Sequence, residues 1–314
     1  MNQPLVTIIT PYYNNSSTIQ LALRSIFSQT YDQIQHILID DGSVDFDLSS
    51  IQKFIDENKK SNIVESVILQ TGKNSGIIKA WNMALPHIKG EYVFSLAADD
   101  CFFDKNVIAD WVEEFLKTKA LVLTAIRAVY DPKLQVFQHI APGENEIHAI
   151  KTFSNQQLIN KLAGSNFIFG CCTAFHRDCY KIIGGHLNER YRLVEDYPMV
   201  LNLLRNNVHI TFFDRVVIKY RLGGISNIGN IDRSYIKEAD AIFYNECYPY
   251  VTDKKNAKEQ YKIWRNRAII AHDIKIIRKF FNANENKFGL FLYRIVMIIR
   301  HPIYMLNKLK RKII

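Results

Sequence analysis

Two adjacent carboxylates, Asp99 and Asp100, close the apolar run Tyr92-Val93-Phe94-Ser95-Leu96-Ala97-Ala98. Such a run reads as a buried strand of a parallel sheet. Ligands of open α/β sheets sit beyond the carboxyl ends of the strands, which is where this pair falls. Hard oxygen ligands in that place suit Mg²⁺ or Mn²⁺ carrying a phosphate-bearing substrate. The alternative is structural, with the pair capping the next helix, since Asp104 and a periodic segment follow. Two further apolar runs end in polar groups: Leu5 to Thr10 before Pro11-Tyr12-Tyr13-Asn14, and His36 to Ile39 before Asp40-Asp41-Gly42-Ser43. A carboxylate there can accept a hydrogen bond from a ring N–H, and a tyrosine can stack on the ring. Asp-Gly-Ser is also a common turn, so a structural reading stays open for it.

The elements that must position these groups alternate regularly. The spacing predicts a strand over Leu5 to Thr10, stopped by Pro11, and a helix carrying Ile19, Leu23, Ile26 and Phe27. A second strand over His36 to Ile39 precedes a helix with Leu48, Ile51, Phe54 and Ile55. Val64 to Leu69 forms a third strand, and Asn74-Ser75-Gly76 opens a helix through Leu85 with free N–H groups at its start. The run from Gly90 to Asp100 is the fourth strand. This is the βαβ rhythm of a doubly wound sheet, and right-handed crossovers gather every post-strand turn on one rim. After a helix over Val107 to Leu116, Leu121 to Val129 and Leu134 to Ile140 read as an antiparallel hairpin. Residues 141 to 165 read as a mobile loop, Phe167 to Phe175 as a strand, and Ile210 to Phe213 and Val216 to Tyr220 as two closing strands. His176-Arg177 follows a strand and faces either the substrate or solvent. Pro198 places Asp196 near the start of a helix running to Asn206, where the helix dipole stabilises a carboxylate and weakens it as a base.

At 314 residues, 48% hydrophobic and 23% charged, the chain suits one large α/β domain with an appendage. Its formal charge of +9 permits phosphate-bearing ligands, nucleic acid or an anionic membrane surface. Five cysteines without a Cys-x-x-Cys pair fit reduced thiols of a cytosolic protein. The N-terminus leads straight into a strand, so no signal peptide is expected. The absence of a charge-free apolar span of about 18 residues predicts no transmembrane helix.

In this order and spacing, Val6-Thr7-Ile8-Ile9-Thr10-Pro11-Tyr12-Tyr13-Asn14, Ile39 to Ser43, Asn74-Ser75-Gly76 with Ala80 and Asn82, Gly90 to Asp100, Gly184-Gly185 and Glu195-Asp196 resemble an inverting family-2 glycosyltransferase of the GT-A fold. The resemblance covers roughly residues 5 to 225. It implies a GT-A-like doubly wound α/β sheet, mixed but mostly parallel, over residues 1–228, and a helical C-terminal region over 229–314. It places the nucleobase at Pro11, Tyr13 and Asp41, the Mn²⁺ or Mg²⁺ ligand at Asp99 and the catalytic base at Asp196. Thr10, Asn74, Gly76, Asp100, Gly184, Gly185 and Glu195 are expected around the substrate. Arg221, in Tyr220-Arg221-Leu222-Gly223-Gly224-Ile225-Ser226, either closes over the diphosphate or marks a domain junction. The implied reaction moves a sugar from a nucleotide-sugar donor, UDP-linked, to a hydroxyl of a glycan or lipid-linked acceptor in bacterial surface polysaccharide synthesis. One departure counts, and one absent signature argues against a processive synthase. Ala97 stands where the family's Asp-x-Asp-Asp has its first acid, and the Gln-x-x-Arg-Trp signature of processive synthases is absent.

The segment Phe288 to Ile314 mixes Phe291, Ile295, Ile298 and Ile299 with Arg294, Arg300, Lys308, Lys310, Arg311 and Lys312. A basic, aromatic-rich helix of this kind either lies peripherally on the inner face of the cell membrane or packs on the domain. Nucleic acid is not expected as a partner, because an acidic crevice has the wrong sign for a phosphate backbone. Two other functions remain in view. A nucleotidyltransferase would carry a Gly-rich, basic phosphate loop after its first strand, which Pro11 to Ser17 lacks. A non-catalytic glycan- or nucleotide-binding relative is compatible with Ala97 and at odds with intact Asp99 and Asp196.

Overall fold

The computed structural model describes residues 3–224, 231–284 and 286–310. Its first half follows the expected rhythm: β1 (Val6–Tyr12), α1 (Ile19–Phe27), β2 (Ile34–Asp40), α2 (Leu48–Asn58), β3 (Ile63–Gln70), α3 (Ile77–Ala84) and β4 (Tyr92–Ser95). These strands pair in parallel in the order β3-β2-β1-β4. Every residue of β2 is buried, which explains its unbroken Ile and Leu content. Pro11 does not stop β1. It sits inside the strand, and its nitrogen faces the β4 side, where β4 has already ended at Ser95, so no ladder donor is lost.

The second half turns the sheet mixed. It comprises β5 (Cys101–Phe102), α4 (Val107–Thr118), β6 (Val122–Tyr130), β7 (Phe137–Ala141), α5 (Glu144–Thr152), α6 (Asn155–Leu162), β8 (Thr173–His176), α7 (Asp178–Ile182), α8 (Asp196–Arg205) and β9 (Ile210–Arg221). β8 lies antiparallel between β4 and β6, β9 runs parallel to β6, and β5 closes the edge antiparallel to β9. The expected hairpin is present as β6 and β7.

Several expectations are corrected. Residues 141 to 165 are largely helical: Ser154 and Gln157 form a reciprocal capping box, and Leu158, Ile159 and Leu162 bury one face of α6. The apolar run Phe167 to Phe175 is mostly irregular, with a 3₁₀ turn at Gly170–Cys172 before the short β8. The two closing strands are one, β9, bulged where Phe213, Asp214 and Arg215 lie opposite Ala125 alone. Arg215 leaves the sheet there to pair with Asp104 and Asp110.

Helices cover both faces of the sheet. On one, α1, α2 and α4 pack Leu23, Ile26, Ile55, Trp111 and Phe115 against β1, β2 and β4. On the other, α3, α6 and α8 pack Trp81, Leu158 and Leu201 against Ile9, Ile37 and Ile39. The C-terminal helices are α9 (Arg233–Ile242), α10 (Lys254–Phe280), α11 (Lys287–Arg300) and α12 (Pro302–Lys310). Ile242, Phe243, Ala257 and Tyr261 join the second of these cores, while Ile277, Tyr293, Met297 and Met305 form a separate small one. The expected boundary at 228/229 lies outside the described residues, as do Ile225, Ser226 and the basic residues Arg311 and Lys312. No described helix is long and apolar enough to cross a membrane, and all five cysteines are free thiols.

Candidate active site

The ends of β1 and β2 are stitched into one rim. Asn14, at φ 52°, donates its N–H to Ser43 Oγ and accepts from Val44 N–H. Asp45 accepts from Tyr12 Oη–H and Ser16 N–H. Gly42 has φ 67°, and a Cβ there would lie 2.2 Å from the Lys73 carbonyl carbon, so only glycine fits this crossing. Asp41 ties the rim to the turn before α3. Its two oxygens accept the N–H groups of Ser75 and Gly76, each at 2.8 Å, and the Thr71 hydroxyl at 3.1 Å. The sequence predicts these two N–H groups free for a ligand; they are bonded to Asp41 instead. Gly76 instead admits Arg192, whose Cγ would be 2.2 Å from an added Cβ and whose guanidinium donates to Asn74.

The acid turn lies beside this rim. Leu96 and Ala98 donate their N–H groups to the carbonyls of Ile9 and Pro11, so β1 carries the chain on past the end of β4. The turn leads into β5 and not into α4, whose N-terminus receives no side-chain cap, so the helix-capping alternative for the acid pair falls. Arg221, at the end of β9, pins the turn by donating its N–H to Asp100 Oδ1, Nε–H to the Asp99 carbonyl and Nη1–H to the Pro132 carbonyl. Asp100 is buried, and burial first and the Asp99 charge second push its pKa well above the usual range. Burial also raises that of Asp99, against its own N–H and Arg221. Asp99 is the more accessible of the two.

Across the crevice, Asp196 opens α8. Its Oδ2 accepts the Gly170 N–H at 2.8 Å and its Oδ1 the Tyr197 N–H at 2.6 Å. Burial outweighs both bonds and raises its pKa, so the weakening expected from the helix dipole is overcome. Glu195 beside it is pushed up to about 8 by burial and then by the Asp196 charge. Both border a cavity of about 20 Å³ walled by Trp81, Phe175, Tyr180 and Met199, and this apolar lining is what desolvates them. Glu238 of α9 fixes the approach to the pair, accepting the N–H groups of Arg192, Leu193 and Val194.

The structure brings Pro11, Asp41, Asn74, Gly76, Asp99, Asp100 and Arg221 to the carboxyl ends of the parallel strands. Glu195 and Asp196 stand over β4 and β8, on the walls of the cavity that Val93, Ser95 and Thr173 also line. Tyr13 is 46% exposed on the rim, open to stacking. Thr10 is a correction: it is fully buried, its hydroxyl 3.1 Å from His36 Nε2, because it stands on the face of the sheet that Ile8 and Tyr12 pack against α1 and not in the crevice. Gly184 and Gly185, both at positive φ, donate their N–H groups to Lys181 and Tyr180 and close the end of α7. His176 pairs with Tyr92 at the start of β4, the end away from the Asp99–Asp100 turn.

Sequence reasoning missed Arg127 of β6. Its guanidinium lies between the rings of Phe169 and Tyr220, at 3.6 and 4.1 Å, with Nη1 on Cys171 Sγ and a buried, unpartnered Nε. It lowers the pKa of both Asp100 and Asp196, which puts one cation within reach of both acid clusters. An arginine inside an apolar strand carries no distinguishing pattern. Among the described residues no group of three or more His, Cys, Asp or Glu side chains could hold a metal. Mg²⁺ and Mn²⁺ sites of the phosphate-carrying kind need only one or two carboxylates, the rest being phosphate and water. The half-buried Asp99, with buried Asp100 behind it, fits that donor set.

Residues 7–184 match the family model described as glycosyl transferase family 2. An uncharacterized glycosyltransferase of Haemophilus influenzae is 36% identical over 124 residues, 40% of this chain and 47% of that one. A chondroitin synthase of Pasteurella multocida is 30% identical over 202 residues, 64% of this chain and 19% of the synthase. The match thus spans about half of the first relative and about a fifth of the second. Among solved structures, S. aureus TarS 1-349 with UDP-GlcNAc superposes at TM-score 0.59, with 16% identity, covering 92% of this chain and 78% of that one. Mannosyltransferase PcManGT from Pyrobaculum calidifontis, with GDP-Man and Mn²⁺, superposes at 0.61, with 16% identity, covering 96% and 82%. These two likenesses bear on the fold.

Proposed function

Given that the chain belongs to glycosyl transferase family 2 and has its GT-A-like fold, we propose that it transfers a sugar from a UDP-sugar to an acceptor hydroxyl with inversion at the anomeric carbon. The observation that carries this reading is the pair of acid clusters, Asp99–Asp100 and Glu195–Asp196, with Arg127 acting on both. Tyr13 stacks on the base, Asp41 meets a ring N–H with an oxygen lone pair its three donors leave unused, and Asn74 and Gly76 bound the nucleoside side. Asp99 and Asp100 would hold Mn²⁺ or Mg²⁺, which supplies charge neutralisation at the departing diphosphate. Arg221 keeps the acid turn in place beneath that group.

Asp196 accepts the acceptor hydroxyl proton on a carboxylate oxygen as the new C–O bond forms opposite the breaking bond to the diphosphate. The proton ends on Asp196 and the electron pair on the leaving phosphate oxygen. Its raised pKa makes Asp196 a stronger base than an ordinary aspartate, so no late proton transfer has to be invoked. The acceptor is a glycan or a lipid-linked precursor of a bacterial surface polysaccharide, reached at the inner face of the cell membrane. The bacterial relative that builds chondroitin supports a polysaccharide acceptor, the UDP-GlcNAc complex a UDP donor, and the Mn²⁺ complex the metal.

The test is a thermal-shift panel of nucleotide sugars with and without Mn²⁺. UDP-sugars are expected to raise Tm more with Mn²⁺ than without. A response to nucleoside triphosphates alone would favour a nucleotidyltransferase, and no response to any nucleotide would leave a non-catalytic relative.

A further inference from the structure

The C-terminal helices display apolar side chains on a face that no described residue covers. In α11, Gly289, Tyr293 and Met297 point into the small core shared with α10 and α12. At 100° per residue, Phe288, Phe291, Ile295, Ile298 and Ile299 fall in a stripe about 100° wide on the opposite side. All five are exposed, Ile299 by 73%. Ile303 and Leu306 of α12 are also exposed, and Phe280 at the end of α10 is exposed by 79%. A helix apolar on two opposite faces has one more face than the fold buries, and exposed patches of this kind mark interaction surfaces.

The charge around the stripe identifies what covers it. Lys287 and Arg294 fall along one flank of the stripe, and α11 carries no acid at all. From residue 254 to 310 the acids are Glu259, Asp273 and Glu285, set among many lysines and arginines. Asp273 is turned inward and neutralised locally by His301 and Arg300. Protein-binding patches are depleted of charge at their cores and do not demand one sign around them. An apolar stripe flanked on one side by cations, on a helix with no acid, matches the interface of an anionic bilayer, with rings and branched chains at the acyl boundary and ammonium and guanidinium groups on lipid phosphates. At 14 residues, α11 is about 21 Å long by the helical rise, too short to span a hydrocarbon core of about 30 Å, so it lies along the surface.

We propose that α11 and α12, with the Phe280 end of α10, dock this protein on an anionic phospholipid surface. The docking goes with an acceptor presented on a lipid but stands independently of the sugar-transfer reading.

The experiment is co-sedimentation of the full chain with vesicles of equimolar phosphatidylglycerol and phosphatidylcholine, against phosphatidylcholine alone. The chain is expected to pellet with the anionic vesicles and to stay in solution with the neutral ones. Phe291→Ser with Ile299→Ser should weaken binding tenfold or more. Lys287→Glu with Arg294→Glu should do so by about tenfold or more, since each basic residue near the surface contributes roughly fivefold. Lys53→Glu with Lys60→Glu, the same charge change on and after α2, should have little effect. The substituted side chains are exposed, so circular dichroism and Tm should hold. A wild-type chain that stays in solution with anionic vesicles would overturn the proposal, as would a Lys53/Lys60 variant as weak as the α11 variants. So would a vesicle-free dimer that Phe291→Ser with Ile299→Ser converts to monomer, since a second copy would then cover the stripe. UDP titration of the wild type separates the two readings: absent UDP binding counts against the proposed function and leaves the docking result standing.

Discussion

Replacing Asp41 with alanine should damage the fold and the nucleotide site together. Its carboxylate is nearly buried and accepts from Ser75 N–H, Gly76 N–H and the Thr71 hydroxyl. Gly76 is buried, so its N–H would be left without a partner, at a cost of about 1–3 kcal/mol. Ser75 and Thr71 are only half-buried and water can reach them, which adds about another 1 kcal/mol. A total of about 2–4 kcal/mol corresponds to a fall in Tm of roughly 4–10 °C for a chain of this size. Affinity for UDP should fall roughly 5- to 150-fold, for one lost acceptor to a ring N–H. Asp41→Asn, which keeps one acceptor oxygen, should lie between. Scanning fluorimetry and isothermal titration with UDP measure both effects on one sample. An unchanged Tm would refute the role of Asp41 as the anchor of the 71–76 turn. A lowered Tm with unchanged UDP affinity would move the nucleobase elsewhere.

Asp99→Asn should abolish the Mn²⁺-dependent part of UDP affinity while leaving the metal-free Tm unchanged, since burial already disfavours the charged form. Titration with and without Mn²⁺ checks this, and full metal dependence in the variant would remove Asp99 from the ligand set. Glu195 holds its proton in the folded chain up to about 8, whereas the unfolded chain releases it in the usual glutamate range. Between those values the folded state binds more protons, so stability should fall as pH rises through that window, and Glu195→Gln should flatten the fall in Tm. Gly90→Ala would set a Cβ 2.4 Å from the backbone nitrogen of Thr7, in the centre of the sheet. It should cost about 1–3 kcal/mol, read as a lower urea midpoint at unchanged slope.

The parallel half of the fold was legible because strands buried on both faces must be written as short apolar runs, and polar turns must follow them. The Asp40–Asp41 and Asp99–Asp100 pairs were legible for the same reason, standing where such runs stop, whereas Glu195–Asp196 follows no such run and was named only through the family resemblance. Length misled twice. Phe167 to Phe175 is apolar because it passes under α8, not because it is extended, and a continuous apolar run carries no period to tell the two apart. Residues 144–162 looked like a loop because their two helices are short and bury only a narrow face, although Ser154-x-x-Gln157 carried a readable start signal. Asp214-Arg215 looked like a turn between strands because a bulge also interrupts alternation. Arg127 was hidden for a different reason. Its partners, Phe169, Cys171 and Tyr220, come from two distant elements, and only the pairing of β8 (antiparallel) and β9 (parallel) with β6 brings them to it.

The most direct test of the central claim is turnover and UDP affinity of Asp196→Asn beside wild type. Asparagine keeps one oxygen for the Gly170 or Tyr197 N–H, so α8 should start where it does now. If Asp196 takes the acceptor proton, kcat should fall by about 10²–10⁴ while UDP affinity and Tm hold. The acid limb of the wild-type pH profile should lie above the ordinary aspartate range, because burial raises the pKa of this group and activity is lost as it protonates. A variant that turns over at the wild-type rate would contradict the assignment, and one that loses UDP binding together with activity would show that Asp196 holds the shape of the site rather than its proton.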